Sequence, residues 1–270
     1  MGLMIKTATE LDGMRRAGAF NGELMDYLRP YIKAGISTEK INNMAHDYTL
    51  QYGHTPACLG YHGFPKSLCS SINNVVCHGI PSPDEILKEG DIVNIDLTTI
   101  VDGFYGDSSE TFLIGQVSSR ARKLVAVTAR SLVLAIERVK PGMPLSTIGD
   151  IIQPFVQSHG YSVVREYTGH GIGRGFHENF SVFHHRTPDC EKVILRPGMT
   201  FTIEPMINMG KYPVVTDKKD KWTVRTKDRS LSAQFEHTVA VTETGLEVLT
   251  LTPSQRESGQ ILNVVGMAKY

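Results

Sequence analysis

The chain has 270 residues, which is enough to bury one large core or two smaller ones. Lys plus Arg and Asp plus Glu both number 28, so the formal net charge is zero, and no long basic run indicates a nucleic-acid binder. No apolar run reaches the roughly 20 residues of a membrane span, and the opening segment lacks the hydrophobic region of a secretory signal, so we expect a cytoplasmic protein with no membrane partner.

The sequence contains four cysteines, and none of them forms a CxxC pair. This spacing argues against a thiolate zinc site and against a redox motif. We expect small buried residues in a reducing compartment rather than a disulfide framework. The four are Cys58, Cys69, Cys77 and Cys190.

Four helical segments are predicted from apolar periodicity, capping residues and terminating glycines. They run from the Thr7–Glu10 capping box towards Tyr31, from Ser37 or Thr38 to Gly53, from Ser118 to Val139, and from Ser146 or Thr147 to Gly160. Pro154 lies inside the last segment and should kink or shorten that helix.

The second half of the chain repeats the first. Gly35 and Gly53 recur as Gly142 and Gly160, in both cases 107 residues later. The predicted strand over residues 90–96 recurs over 198–204, and both copies end in a carboxylate. Matches in the same order at nearly constant spacing indicate an internal duplication, roughly 5–115 and 118–250. We therefore expect an α+β fold with two halves about a pseudo-two-fold axis, helices outside and a mixed or antiparallel sheet inside.

Four carboxylates are expected to meet between the two halves, together with His170. Asp96 and Asp107 come from the first half, and Glu204 and Glu236 come from the second. Close like charges raise each other's pKa, so protons or cations must enter. Oxygen ligands with a single imidazole suit a pair of ions such as Mn, Fe, Co or Zn, about 3.5 to 4 Å apart. The ligand set does not select one of them.

An isolated Asp at a strand end is usually a cap or a turn residue without chemical function. Asp96 and Glu204 differ because each follows an apolar segment, Val-Asn-Ile and Phe-Thr-Ile. An uncompensated charge buried there would cost several kcal/mol. Bound metal ions would remove that cost, which favours the metal site.

Several ordered motifs resemble type I methionine aminopeptidases of the bacterial type, over nearly the whole chain. They are Tyr61 to Ser67 (YHGFPKS), Val76 to Pro81 (VCHGIP), Asn94 to Asp96 (NID), Gly169 to Gly173 (GHGIG) and Phe201 to Pro205 (FTIEP). The resemblance implies the pita-bread fold in a single catalytic domain over residues 1–270. It also implies removal of the initiator methionine from nascent polypeptides when the second residue is small, by a monomer that contacts the ribosome transiently.

The resemblance further implies roles for individual residues. Asp96, Asp107 and Glu236 would bind one metal ion, and Asp107, His170, Glu204 and Glu236 the other. A hydroxide bridging the ions would attack the first peptide bond, with Glu204 as proton carrier. His177 would contact the scissile carbonyl, and His78 the following peptide group. The substrate would be bound by Cys58, Tyr61, His62, Phe64, Cys69, His78, Phe176, His177 and Trp222.

Three departures from the family pattern concern the outer pocket. Asn74 replaces an expected acidic residue, Phe64 replaces a common tyrosine, and residues 179–181 replace a proline-containing segment. None removes a proposed ligand, but they leave the preference for the second substrate residue open. Two alternatives remain: a proline-directed peptidase of the same fold, and a non-catalytic member that uses the fold for binding.

Overall fold

The computed structural model describes residues 5–264 and 266–270. The sequence analysis found no secretory signal in the opening segment. Residues 1–4 of that segment lie outside the described residues. Among the described residues, no helix is both long and apolar enough to cross a membrane. The described cysteines are all buried and free, as expected.

The helices and strands are numbered in chain order. The α-helices are α1 (Ala8–Leu28), α2 (Thr38–Gln51), α3 (Ser119–Arg138), α4 (Thr147–Ser158) and α5 (Pro253–Ser258). The strands are β1 (Thr55–Pro56), β2 (Cys69–Ile72), β3 (Val75–Cys77), β4 (Ile92–Val101), β5 (Phe104–Leu113), β6 (Ser162–Val163), β7 (Gly169–Gly171), β8 (Glu178–Val182), β9 (Thr200–Ile203), β10 (Met206–Asn208), β11 (Val214–Thr216), β12 (Val224–Thr226), β13 (Ser232–Gln234), β14 (Glu236–Val241) and β15 (Leu246–Val248).

The four predicted helices are confirmed as α1 to α4. The Thr7 hydroxyl accepts from the Glu10 N–H and the Glu10 carboxylate accepts from the Thr7 N–H, which forms the predicted capping box. The prediction that Pro154 shortens α4 is wrong, because the helix continues to Ser158. Asp150, whose carbonyl loses its partner at Pro154, is exposed, so water can satisfy that carbonyl.

Among the described residues, the main sheet has nine strands, and all of its neighbouring strands are antiparallel. Its order is β1-β4-β5-β14-β9-β7-β8, with β2 paired to β4 and β15 paired to β14. The strands of the first half meet those of the second where β5 pairs with β14. Side chains at this junction therefore come from both halves of the chain.

Each half has its own apolar core on the helical side of the sheet. In β4, side chains alternate between the two faces, and Val93, Ile95 and Leu97 pack with apolar residues of α1 and α2. In the second half, α3 and α4 pack in the same way over Phe201 and Ile203 of β9. The middle of the other face carries polar side chains, which are Asn94, Asp96 and Thr98 in β4 and Thr200 and Thr202 in β9.

Corresponding turns in the two halves make corresponding hydrogen bonds. The Gly35 N–H donates to the Leu87 oxygen at 2.9 Å, and the Gly142 N–H donates to the Leu195 oxygen at 2.8 Å. Both glycines have positive φ, +91° and +85°, a conformation that favours glycine. These bonds occur at the spacing of the sequence repeat.

Candidate metal centre

A cavity of about 380 Å³ opens over the polar face of the main sheet. The structure brings every site residue proposed from the sequence to its wall. These are Cys58, Tyr61, His62, Phe64, Cys69, His78, Asp96, Asp107, His170, Phe176, His177, Glu204, Trp222 and Glu236. No proposed site residue lies elsewhere.

Asp96 and Asp107 reach the cavity from neighbouring strands of the first half. Asp96 pairs with Ser109 and Thr98 pairs with Asp107, so these four side chains share one face of β4 and β5. Thr98 donates a hydrogen bond from its hydroxyl to Asp107 at 2.8 Å. The expectation that the strand ends at Asp96 is wrong, because β4 continues to Val101 and leaves Asp96 in mid-strand.

Glu204 and Glu236 come from the second half, directly after β9 and at the start of β14. Two hydrogen bonds orient the Glu204 carboxylate. The Thr202 hydroxyl donates to one oxygen at 2.8 Å, and the Gln234 amide donates to the other at 3.2 Å. The Glu204 N–H donates to Nε2 of the buried His184 at 3.0 Å, which fixes the backbone as well.

His170 presents one ring nitrogen to the carboxylates. Its Nδ1 lies 3.1 Å from the Gly171 oxygen, which can only accept, so Nδ1 carries the proton. In the neutral ring the lone pair is then on Nε2, which lies 3.6 Å from oxygens of both Asp107 and Glu204. A lone pair that faces two carboxylates requires a proton or a cation between them.

The pKa shifts of the carboxylates also indicate that this site requires a proton or a cation. Burial and then the Asp107 charge raise the pKa of Asp96 and of Glu236 well above their usual range. Burial raises the pKa of Glu204 to about 7, with a further contribution from Asp107. Burial acts to lower the pKa of His170, but the Asp107 and Glu204 carboxylates outweigh it and the pKa rises. Without a cation, these groups retain protons.

The donor set fits divalent metal ions. One ligand atom each from Asp107, His170 and Glu236 lie within 4.8 Å of one another, and all three residues are buried. Several carboxylate oxygens with one imidazole nitrogen form the ligand type that first-row divalent ions take. Such ions would compensate the buried negative charge, as the sequence led us to expect.

A buried apolar pocket adjoins the carboxylates. Cys58, Phe64 and Cys69 form a small buried cluster, against which Phe176 and Trp222 pack. The rings of Phe64 and Trp222 meet edge to face at 5.2 Å between centroids. Thiols and aromatic rings of this kind make favourable contacts with a thioether side chain.

Two further histidines, His78 and His177, line the same cavity. Burial lowers the pKa of His78 to about 4, and burial together with the nearby His170 lowers the pKa of His177 to about 4, so both rings are neutral near pH 7. His78 has a positive φ of 56°, which is uncommon for a residue other than glycine and is typical of functional sites. The Tyr61 hydroxyl lies 2.8 Å from His177 Nδ1 and fixes the rotation of that ring.

Sequence reasoning missed the residues that orient the ligands. Thr98 and Thr202 stand two positions from Asp96 and Glu204, so the two-residue period of a strand could have placed them on the same face. Gln234 stands two positions before Glu236 and gave the same signal, whereas His184 gave none. His184 lies 20 residues before Glu204, and only the fold brings it to the Glu204 N–H.

Comparisons with known proteins agree with this geometry. Residues 12–243 match the metallopeptidase family M24. The chain is 53% identical to methionine aminopeptidase of Escherichia coli over 252 residues, which cover 93% of this chain and 95% of that one. The crystal structure of methionine aminopeptidase from Rickettsia prowazekii superposes with a TM-score of 0.90 at 46% identity, covering 93% of this chain and 100% of that one.

The proline-directed alternative shares the fold alone. A prolidase from Pyrococcus horikoshii is 22% identical with a TM-score of 0.70, and the match covers 92% of this chain but 63% of the prolidase. The close structural matches confirm the pita-bread fold and the α+β class. The chain therefore belongs to metallopeptidase family M24, as a metal-dependent hydrolase among its methionine aminopeptidases.

Proposed function

We propose that this chain releases the initiator methionine from nascent polypeptides whose second residue is small, with two divalent cations bound by Asp96, Asp107, His170, Glu204 and Glu236. The observation that carries the proposal is the junction of a buried carboxylate set with a thiol- and aromatic-lined pocket in one cavity. At about 380 Å³ the cavity lies in the size range of ligand sites.

The five proposed ligands would be divided between the two cations. Asp96 would bind one cation and His170 with Glu204 the other, while Asp107 and Glu236 would bind both. The central location of Asp107 supports this division, since it lies near His170 and raises the pKa of Asp96, Glu204 and Glu236. When bound, the cations would lower the pKa of water and polarise the carbonyl of the first peptide bond near neutral pH.

Glu204 would carry the proton from the attacking water to the leaving amine. Without bound cations its pKa is raised to about 7, so the surroundings of Glu204 accept the protonated carboxyl as well as the carboxylate. The hydrogen bonds from Thr202 and Gln234 keep its two oxygens in fixed directions during the transfer. The free amine of the substrate would bind beside Asp96.

His177 and His78 would bind the peptide backbone of the substrate. The Tyr61 hydroxyl can donate to Nδ1 of the neutral His177 ring, which leaves the proton on Nε2. That N–H is a donor for the oxygen of the scissile carbonyl as negative charge develops on it. His78, between Tyr167 and Trp222, would contact the following peptide group.

Peptide hydrolysis with defined metals tests this function. The protein is stripped with a chelator, reloaded with one divalent metal at a time, and given Met-Ala-Ser, Met-Leu-Ser and Ala-Pro peptides. We expect release of methionine from Met-Ala-Ser, much slower release from Met-Leu-Ser, and no hydrolysis of the Ala-Pro peptide. Hydrolysis only before proline would indicate the proline-directed peptidase, and inertness with every metal would indicate a binding protein.

We also infer the setting in which the enzyme acts. Because one chain supplies every proposed ligand and the whole pocket, a monomer is sufficient for activity. New N-termini emerge from ribosomes in the cytoplasm, so a transient ribosome contact there would accompany catalysis. Sedimentation of the purified protein, alone and with ribosomes, measures both properties.

A further inference from the structure

A buried ion pair connects the start of the chain to the residue next to His177. The Lys6 ammonium contacts the Glu178 carboxylate, and each side chain is only 4% exposed. We propose that this pair, the Lys6–Glu178 clamp, positions His177 for catalysis. The inference rests on the function proposed above for His177, but neither clamp residue lines the cavity.

The clamp holds a hairpin whose strand pairing is irregular near its tip. Strands β7 and β8 carry His170 and Glu178, and residues 172–177 connect them. His170 pairs with Ser181 while the adjacent Gly171 pairs with Glu178, so the register shifts just before the connection. A bulge of this kind interrupts the ladder, and contacts from outside the hairpin are then needed to fix its tip.

Lys6 provides such a contact from a fixed backbone. Its N–H donates to the oxygen of Gly198, in the turn that precedes β9. The other oxygen of Glu178 is buried and has no hydrogen-bond partner among the described residues, so Lys6 alone compensates this carboxylate there. A buried ion pair with so few additional hydrogen bonds contributes little to the free energy of unfolding. Its role is better explained by the positioning of the backbone around it.

The clamp also packs against residues 172–177, and these residues contact β5, the strand that carries Asp107. A Cβ on Gly173 would lie 2.4 Å from Glu178 and 2.5 Å from the Lys6 side chain, so the pair packs directly on the Gly173 backbone. The Gly173 oxygen accepts from the Tyr105 N–H at 2.9 Å, two residues before Asp107. The backbone that ends in His177 is thus fixed between the clamp and β5.

The expected consequence is a fixed distance between His177 and the metal ligands. The ring centroids of His177 and His170 are 4.0 Å apart. Tyr61 controls the rotation of the His177 ring, whereas the clamp controls where its backbone lies. A displacement of about 1 Å can reduce turnover by roughly a hundredfold, so loosening the clamp should lower kcat more than it changes KM.

A set of variants separates positioning from simple stabilisation. Lys6→Met leaves Glu178 unpaired and should lower both the unfolding temperature and kcat, the latter by roughly tenfold or more. Adding Glu178→Gln removes the unpaired charge, so the double variant should recover the unfolding temperature but not kcat. Recovery of kcat together with the unfolding temperature would overturn the proposal. Arg16→Met, which breaks the exposed Arg16–Asp102 pair, is the matched control and should leave both quantities unchanged.

A second cycle tests whether the clamp acts through His177. In a His177→Ala background, Lys6→Met should cause no further loss of kcat, and an additive loss would contradict the proposal. Hydrogen exchange of residues 172–177, measured in the metal-free and metal-loaded protein, should accelerate in Lys6→Met; unchanged exchange would also overturn the clamp. If His177→Ala retains full kcat, the catalytic role of His177 fails, while the exchange measurement still decides whether the clamp exists.

Discussion

In the role proposed for it, Glu204 must be ionised to bind a cation and must also be able to take up a proton. Hydrogen bonds from Thr202 and Gln234 favour the ionised form, whereas burial and the Asp107 charge favour the protonated form. Their balance places the pKa at about 7. That value applies before cations bind, and it shows that the surroundings of Glu204 accept the protonated carboxyl as well as the carboxylate, which general acid and base catalysis requires.

We predict that Glu204→Ala abolishes turnover without unfolding the protein. Loss of a general acid or base typically costs 10²- to 10⁴-fold in rate, and here a metal ligand is lost as well. Removing one buried like charge relieves repulsion, so the fold should be retained. Peptide hydrolysis and circular dichroism measure the two effects, with the exposed Glu243→Ala as control. Turnover close to that of the unmodified protein would refute the proton-transfer role.

Two of the proposed metal ligands could be identified from the sequence because their setting is local. Asp96 and Glu204 end apolar segments that recur 108 residues apart, and a buried carboxylate in such a segment requires compensation. Lys6 and His184 could not be found in this way. Their importance depends on which residues the fold brings beside them, and neither periodicity nor spacing contains that information.

Helix α1 and strand β5 approach each other unusually closely. Asn21 of the helix donates hydrogen bonds to the oxygens of Leu97 and Gly106 at 2.8 and 2.9 Å. A Cβ on Gly106 would lie 2.5 Å from the Ala17 oxygen, so only glycine fits at this contact. Because Gly106 precedes Asp107, the contact holds the strand of this proposed ligand against the helix.

We predict that Gly106→Ala lowers the free energy of unfolding by about 1–3 kcal/mol, since overpacking forces the helix and the strand apart. Chemical denaturation measures this change. Gly245→Ala is the control, because a Cβ at that position would meet nothing within 4 Å. Equal stability of the two variants would mean that α1 yields without cost, and that the close contact does not fix Asp107.

The helices were predictable as elements, whereas their packing was not. Capping signals at Thr7 and Ser37 gave the starts of α1 and α2, because a cap is a contact within a few residues. The failed expectation that Pro154 shortens α4 shows the limit of local rules, since the exposed side of a helix tolerates a missing hydrogen bond. The mid-strand location of Asp96 was missed because strand ends depend on the partner strand.

At the scale of the whole molecule, we propose one catalytic domain over residues 1–270 formed from two duplicated halves, roughly 5–115 and 118–250. The matching hydrogen bonds at Gly35 and Gly142 support this organisation. Each half forms its own core, but the carboxylates of both halves meet at the junction of β5 and β14. The carboxylates repel one another at this junction. We therefore expect the stability of the whole domain to depend on bound metal.

This dependence predicts that metal ions stabilise the protein more as the pH rises. In the metal-free fold the pKa of Glu204 is raised from 4.5 to about 7, so its contribution to stability is complete below about 4.5 and is lost as the pH rises through about 7. Asp96 and Glu236 have raised pKa values and the same sign. Bound cations remove this penalty, because ligands are deprotonated on binding.

The difference in unfolding temperature between metal-loaded and chelated protein should therefore increase from pH 5 to pH 8. Buried histidines such as His237, whose pKa burial lowers, destabilise both forms alike in acid, so the difference cancels them. A difference that is constant or decreasing over this range would show that the carboxylates are not the groups that bind the metal.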